Sequence, residues 1–135
     1  MTYSRVIPVE FNHCDPAGIV FYPRYFEMIN SVVENFFLEA VGHSFARMMA
    51  AGAGVPTVRI GVEFRAPSRL EDRLAFALRV VRVGARSATF ALTARGGAEV
   101  RLEAEVVLVW VAGGRACVWP DDIRARLGTM SEGAA

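Results

Sequence analysis

Between residues 8 and 25 the chain reads PVEFNHCDPAGIVFYPRY, which brings a histidine, a thiol and a carboxylate to three consecutive positions, His13, Cys14 and Asp15. Asp15 opens a Pro-Gly turn, Asp15-Pro16-Ala17-Gly18, and the apolar run Ile19, Val20, Phe21, Tyr22 follows at once. A carboxylate fixed in a turn beside apolar walls is well placed to meet a substrate as a base or a nucleophile. Cys14 next to His13 invites a thiol-nucleophile reading. Neighbours on an extended chain point to opposite faces, however, so Cys14 reads instead as a small buried side chain. In that same extended geometry His13 and Asp15 share a face, where a protonated His13 would favour the charged carboxylate; a solvent-facing strand-end histidine is the competing reading. His43-Ser44 has no acid positioned by sequence, and Ser44 reads as a local helix cap. Glu34 is read as an assisting acid or as an exposed or interface charge, and Asn30 and Ser31 as groups that would face a site across a dimer.

The elements that must hold this stretch follow from its flanks. Residues 3–11 alternate as a strand, with Pro8 acceptable at an edge or a bulge. Residues 23–41 place Tyr25, Phe26, Met28, Ile29, Val32, Val33, Phe36, Phe37, Ala40 and Val41 at spacings of three and four, which predicts a helix with one broad buried face. Pro23 suits its first turn and Gly42 the left-handed position that ends it. A connecting segment, 43–56, has room for one or two helical turns at 45–51. Four stretches of period two follow, 57–66, 73–83, 86–95 and 99–111, with Gly84-Ala85 and Gly96-Gly97 at hairpin positions. The last of them becomes apolar on both faces, so that it should be covered twice. Trp119-Pro120-Asp121-Asp122 opens a short helix to Leu127, its early acids favoured by the helix dipole. One long helix against five antiparallel strands is an α+β fold in which the sheet curls around the helix. Residues 1–127 read as a single domain and 128–135 as a flexible tail.

Composition excludes several classes. The formal net charge is +1 and the arginines are spread along the strands, which gives no nucleic-acid surface. Every cationic side chain is arginine, a bias that fits a high-GC genome as easily as phosphate binding. Two cysteines and two histidines are too few and too scattered for a zinc site, so no metal is expected. No apolar run approaches the roughly 20 residues that span a bilayer, and no signal pattern starts at Met1, so a cytoplasmic protein without membrane contact is expected. A hydrophobic share of 53% with a mean hydropathy of +0.31 is high for a small soluble body, and points to buried subunit interface.

The run from Cys14 to Tyr25, CDPAGIVFYPRY, placed directly before the central helix, resembles the 4-hydroxybenzoyl-CoA thioesterase family, whose motif reads C-D-P-A-G-I-V-[FW]-Y-P-x-Y. The order of elements over residues 3–112 agrees. The resemblance implies the hotdog fold, a five-stranded antiparallel sheet wrapped around one long central helix. It also implies an acyl-CoA thioesterase with Asp15 as nucleophile or general base and the backbone N–H of Tyr22 polarising the thioester carbonyl. Gly18, Ile19, Val20 and Pro23 are carried over as substrate-binding positions. Family members often have an acid two residues before the aspartate, where this chain has His13. Some use a basic run near the hairpin after the third strand for the CoA phosphates, of which Arg86, with Arg82, remains. The resemblance further implies a homodimer joined sheet edge to sheet edge, paired into a tetramer, with sites at the subunit interface. The expected acyl group is aromatic, and no cofactor is expected because CoA is part of the substrate. Two other activities on this fold compete: a non-catalytic acyl-CoA or aromatic-ligand binding protein, and an acyl-thioester dehydratase or hydratase. The latter needs a positioned acid-base pair, and nothing places His13 or His43 on the helix with a carboxylate.

Overall fold

The computed structural model describes residues 1–132. The central element is helix α1 (Pro23–Phe36), whose apolar stripe Tyr25, Met28, Ile29, Val32, Val33 and Phe36 is buried as the spacing requires. The helix continues through one π-helical turn, Phe37–Val41, and stops at Gly42, whose φ of 78° is the left-handed value a glycine adopts without cost. The wider turn re-phases the stripe, so that the burial at Phe36 passes to Phe37 and Val41.

Five antiparallel strands wrap this helix: β1 (Thr2–Pro8), β3 (Thr57–Phe64), β4 (Arg73–Val83), β5 (Ser87–Gly96) and β6 (Glu99–Val109), in the spatial order β1-β4-β5-β6-β3. Their inward positions alternate as the period-two pattern demands. Leu74, Phe76, Leu78 and Val80 of β4, Ala88, Phe90, Leu92 and Ala94 of β5, and Leu102, Ala104, Val106 and Leu108 of β6 are all buried. Phe36, Phe37 and Phe90 lock helix to sheet, with ring centroids 5.3 Å (Phe36–Phe90), 5.4 Å (Phe36–Phe37) and 6.2 Å (Phe37–Phe90) apart. This is the hotdog arrangement, helix inside and sheet outside.

Several local features differ from the sequence pattern. β1 stops at Pro8, and Phe11–His13 form a 3-10 turn instead of continuing the strand. Pro8 has no N–H to donate to a ladder, and the side chains of Glu10 and His13 cap the turn reciprocally. β6 ends at Val109, and Val107 and Val109 are only half-buried on its outer face. A small second sheet joins β2 (Ala53–Gly54), β7 (Val111–Ala112) and β8 (Arg115–Ala116). Helix α2 (Phe45–Ala50) lies between α1 and β2, capped by Ser44 Oγ, which accepts from Arg47 N at 3.1 Å.

Helix α3 is Asp121–Met130, with Asp121 and Asp122 in its first turn. It therefore passes beyond Leu127 into the stretch expected as tail, because Met130 is buried with Ile123 and Leu127. Glu132 then pairs with Arg79 at 2.8 Å and donates its N–H to Val80 O. The rest of that stretch, residues 133–135, lies outside the described residues.

Candidate active site

The Asp15 stretch folds into a tight hairpin that feeds α1. Asp15 O accepts from Gly18 N at 2.9 Å, closing a turn over Pro16 and Ala17, and Gly18 has a φ of 81°. Asp at the first position, Pro at the second and a left-handed Gly after the central pair are the residues a three-residue hairpin loop selects. The two legs are then zipped: Asp15 N donates to Ile19 O at 3.1 Å, Cys14 pairs antiparallel with Val20, and Phe21 N donates to His13 O at 2.9 Å. The Asp15 carboxylate is fixed from its own loop, Oδ1 accepting from Ala17 N at 2.9 Å. Half-buried Asp15 keeps its second oxygen for other partners.

The hairpin delivers Tyr22 to the cap position of α1, with φ −52° and ψ −34°. Pro23 has no N–H, Arg24 N is bonded to Phe21 O and Tyr25 N to Tyr22 O. Among the described residues the Tyr22 amide has no hydrogen-bond partner, which makes it the free donor at the positive end of the helix dipole. Asp15, Gly18, Ile19, Val20, Tyr22 and Pro23 thus form one contiguous hairpin-to-helix unit.

Ile19 and Val20 line a cleft of about 280 Å³ with Tyr25, Phe64, Arg65, Ala66 and Pro67. Three aromatic rings meet at its rim: Tyr22 and Phe64 at 6.2 Å, Tyr25 and Phe64 at 5.6 Å, both Tyr22 and Phe64 remaining about half exposed. A deeper cavity of about 380 Å³ lies further along the same side of α1, walled by Phe26, Ile29, Val33, Met48 and Ile60, with the amide of Asn30 among its few polar groups. Because α1 contributes Tyr25 to the first and Phe26 and Ile29 to the second, and β3 contributes Phe64 and then Ile60, the two hollows follow one groove between helix and edge strand.

Other candidates resolve differently. His13 Nδ1 accepts from Glu10 N at 2.8 Å, so its ring closes the 3-10 turn, and among the described residues no hydrogen bond joins it to Asp15. Cys14 Sγ donates to Glu10 O at 3.7 Å and is half-buried against the core, less enclosed than the buried side chain expected. His43 sits edge-on to Trp110 at 6.1 Å, its basicity lowered first by burial and then by Arg47. Glu34 is exposed, and Asn35 Nδ2 bonds back to Ser31 O at 2.8 Å.

Arg86 is not brought to this unit within one chain. The hairpin packs on the segment just before β4, through Val20 N to Ser68 O at 2.9 Å, whereas Arg86 follows the far end of β4. Eleven residues of strand separate the two ends, or about 33 Å at 3.3 Å per step. Missed by the sequence reading are Ser68, Asp72 and Arg101, which form a polar cluster under the hairpin. Arg101 Nη1 reaches Asp72 Oδ2 at 2.8 Å, and this bond, with the Arg69 N–H, holds the Asp72 carboxyl below the usual carboxylate range.

Comparison with known proteins agrees with this geometry. The family described as the thioesterase-like superfamily matches residues 9–127. No curated protein matches the chain. Among solved structures, a hypothetical protein from Thermus thermophilus is similar at 24% identity, with a TM-score of 0.89 and coverage of 94% of this chain and 98% of that one. A 1,4-dihydroxy-2-naphthoyl-CoA thioesterase from Synechocystis follows at 19% identity and a TM-score of 0.87, covering 94% and 96%. A hypothetical protein from Staphylococcus aureus, in complex with CoA, has a TM-score of 0.90 at 14% identity, covering 96% and 84%. At these identities the likeness is one of fold.

Proposed function

Because the chain belongs to the thioesterase-like superfamily, we propose that it hydrolyses an acyl-CoA thioester to a carboxylic acid and free CoA, in the manner of the 4-hydroxybenzoyl-CoA thioesterases. The observation that carries this reading is the pairing, in one hairpin, of a carboxylate held through one oxygen with an unpartnered amide at the start of α1. The thioester oxygen accepts from Tyr22 N–H, and the negative charge that develops as the carbonyl is attacked lies at the helix N-terminus, where a fixed donor stabilises it most. The free Asp15 oxygen either bonds to the carbonyl carbon, giving an acyl-aspartyl anhydride that water then opens, or takes a proton from the attacking water. In both routes the C–S bond breaks and the sulfur leaves as thiolate. A thiolate is stable enough near neutral pH that no separate acid is required. CoA enters as substrate, and the reaction needs no further cofactor.

The acyl group lies in the groove between α1 and β3. An aromatic acyl group is favoured by the rings of Tyr22, Tyr25 and Phe64 at the cleft and by the apolar cavity beyond. A neighbour of the same fold carries the name of an aromatic acyl-CoA thioesterase, and another was solved with CoA.

The working unit is a dimer, assembled further into a tetramer. β3 is an edge strand bonded to β6 on one side only, and Val58 and Ile60 are exposed along it, 59% and 39%. A second copy pairing there covers both the open backbone edge and these side chains. Antiparallel pairing of two β3 edges inverts the second sheet end for end, so its β4–β5 turn, with Arg86, lies at the same end as this chain's Asp15. Arg86 of the second subunit then serves the CoA phosphates.

Thiol release from benzoyl-, 4-hydroxybenzoyl-, phenylacetyl-, hexanoyl- and acetyl-CoA tests the reading. Turnover of the aromatic thioesters at least tenfold above the aliphatic ones is expected. Binding of these thioesters with no thiol released would instead make the protein an acyl-CoA binding protein.

A further inference from the structure

The hairpin that carries Asp15 sets Val20 into the core and Cys14 against it, and its backbone is tied to one neighbouring segment. Its return leg rests on the connection between β3 and β4, residues 66–72: Val20 N donates to Ser68 O at 2.9 Å and Ile19 pairs antiparallel with Arg69. The strand entering the hairpin is tied to the same connection, by Val9 N to Asp72 O at 2.7 Å and Glu71 N to Val9 O at 2.9 Å. Whatever fixes residues 66–72 therefore helps to fix Asp15 and the Tyr22 amide.

One side chain reaches three points of that connection. Arg101 of β6 is mostly buried, with its side chain 13% exposed, and its Nη1 lies 3.2 Å from Pro67 O, 3.1 Å from Ser68 Oγ and 2.8 Å from Asp72 Oδ2. Its own carbonyl accepts from Arg65 N and Ala66 N, at 2.8 and 3.2 Å. Asp72 relays the contact by accepting from Arg69 N at 2.9 Å. Glu99 closes the cluster as an ion pair, 2.8 Å from Arg101 Nε.

Two further observations show that this placement is demanding. A Cβ at Gly96 would stand 2.3 Å from Arg101 Nη2 and 2.5 Å from Cζ, so the guanidinium crosses β5 where only a glycine leaves room. Within the pinned connection, Glu71 has a φ of 75°, the only positive value at a non-glycine residue among those described. Such a conformation persists where the surroundings over-determine it.

We propose that Arg101 is a positioning residue for thioester hydrolysis: seated beneath Gly96, it pins residues 66–72 and through them the hairpin that aims Asp15 and the Tyr22 amide at the thioester. The proposal rests on the thioesterase reading for its kinetic part. Arg101 is not itself among the residues that line the groove and meets the cleft wall only at the backbone of Arg65, Ala66 and Pro67, so its loss acts first on reaction geometry and leaves the side chains that capture substrate in place.

The test compares wild type, Arg101→Met and Gly96→Ala. Gly96→Ala keeps every charge and displaces only the guanidinium, and it stands in for Arg101→Met should that variant fold poorly. Per folded enzyme, kcat is expected to fall about 10- to 100-fold, the range that a misplacement of about 1 Å produces, with KM within threefold of wild type. Adding Glu71→Gly, which removes the left-handed penalty, restores at least part of kcat to Arg101→Met and leaves the wild type unchanged. A merely structural role would lower the yield of folded protein without this kcat-specific loss and rescue.

Amide hydrogen exchange supplies a readout independent of activity. Val20 and its neighbours are expected to exchange at least tenfold faster in both single variants. Unchanged exchange, or kcat within twofold of wild type in both variants, overturns the proposal while leaving the thioesterase reading intact. Wild type that hydrolyses no thioester overturns the functional reading, and exchange alone then decides whether Arg101 fixes the hairpin.

Discussion

Beyond the ring that Tyr22→Ala also removes, replacing Tyr22 by proline takes away one atom, the amide hydrogen assigned to the thioester oxygen. The backbone permits it: Tyr22 has φ −52°, inside the range a proline ring imposes, and its N–H bonds to nothing among the described residues. The preceding Phe21 continues the paired leg of the hairpin, the extended setting that a following proline prefers. No hydrogen bond is lost on folding, so stability should follow that of Tyr22→Ala, which loses only the edge contacts with Phe21 and Phe64 at 5.7 and 6.2 Å. Removing one donor to a developing oxyanion costs about 2.7–4 kcal/mol, or roughly 10²- to 10³-fold in kcat. The expected series is therefore small losses in Tyr22→Ala and a further drop of about 10²-fold or more in kcat for Tyr22→Pro, with KM nearly equal in the two. Thiol release under saturating substrate, beside urea unfolding of each variant, measures both quantities. Equal kcat in the alanine and proline variants would refute the assignment of the amide.

Three further outcomes follow from the same structure. Gly18→Ala meets nothing within 4 Å but holds a φ of 81°, so the cost is conformational, about 1–2 kcal/mol; thermal unfolding should show a loss of about 4 °C for each kcal/mol, and an unchanged midpoint would contradict it. Ile60→Lys places a charge on the exposed β3 edge and should yield a monomer in sedimentation with thiol release reduced at least tenfold, whereas an intact oligomer would exclude that edge as the interface. Asp72 is held below the usual carboxylate range by its Arg101 hydrogen bond, so its stabilisation is complete above about pH 4, where the unfolded carboxyl is also charged, and fades as acid lowers the pH through the folded value. Urea midpoints of wild type and Asp72→Asn should accordingly differ at pH 7 and converge toward pH 3; a gap independent of pH would show that the ion pair is not its source.

The helix and the four later strands were legible because each buries one face and so writes its period into the sequence. Pro23 and Gly42 marked the ends of the helical stretch for reasons of backbone geometry alone. The hairpin around Asp15 was legible as a turn for the same reason, since Asp, Pro and Gly stand where such a turn needs them. The 3-10 turn at Phe11–His13 was hidden: alternation runs on past Pro8, and only the reciprocal caps of Glu10 and His13 distinguish it. The two-residue strands of the small sheet are too short to carry a period. Arg86 was drawn to the site by the basic run that some members of the resembled family carry, while the length of β4, already readable, separates it from Asp15 in one chain. Arg101 stayed invisible because an outward arginine on a strand looks solvated; Gly96, next to Gly97 at the turn, was read only as turn chemistry, although its missing Cβ is what admits the guanidinium.

The central claim is that the Asp15 carboxylate performs thioester hydrolysis. Asp15→Asn keeps the side chain's volume and its Oδ1 bond to Ala17 N, so fold and oligomer size should be preserved while the reacting charge is lost. Measured on the thioester that wild type turns over fastest, thiol release should fall by at least about 10³-fold in the variant, with substrate affinity retained. Equal activity in the two proteins would contradict the account.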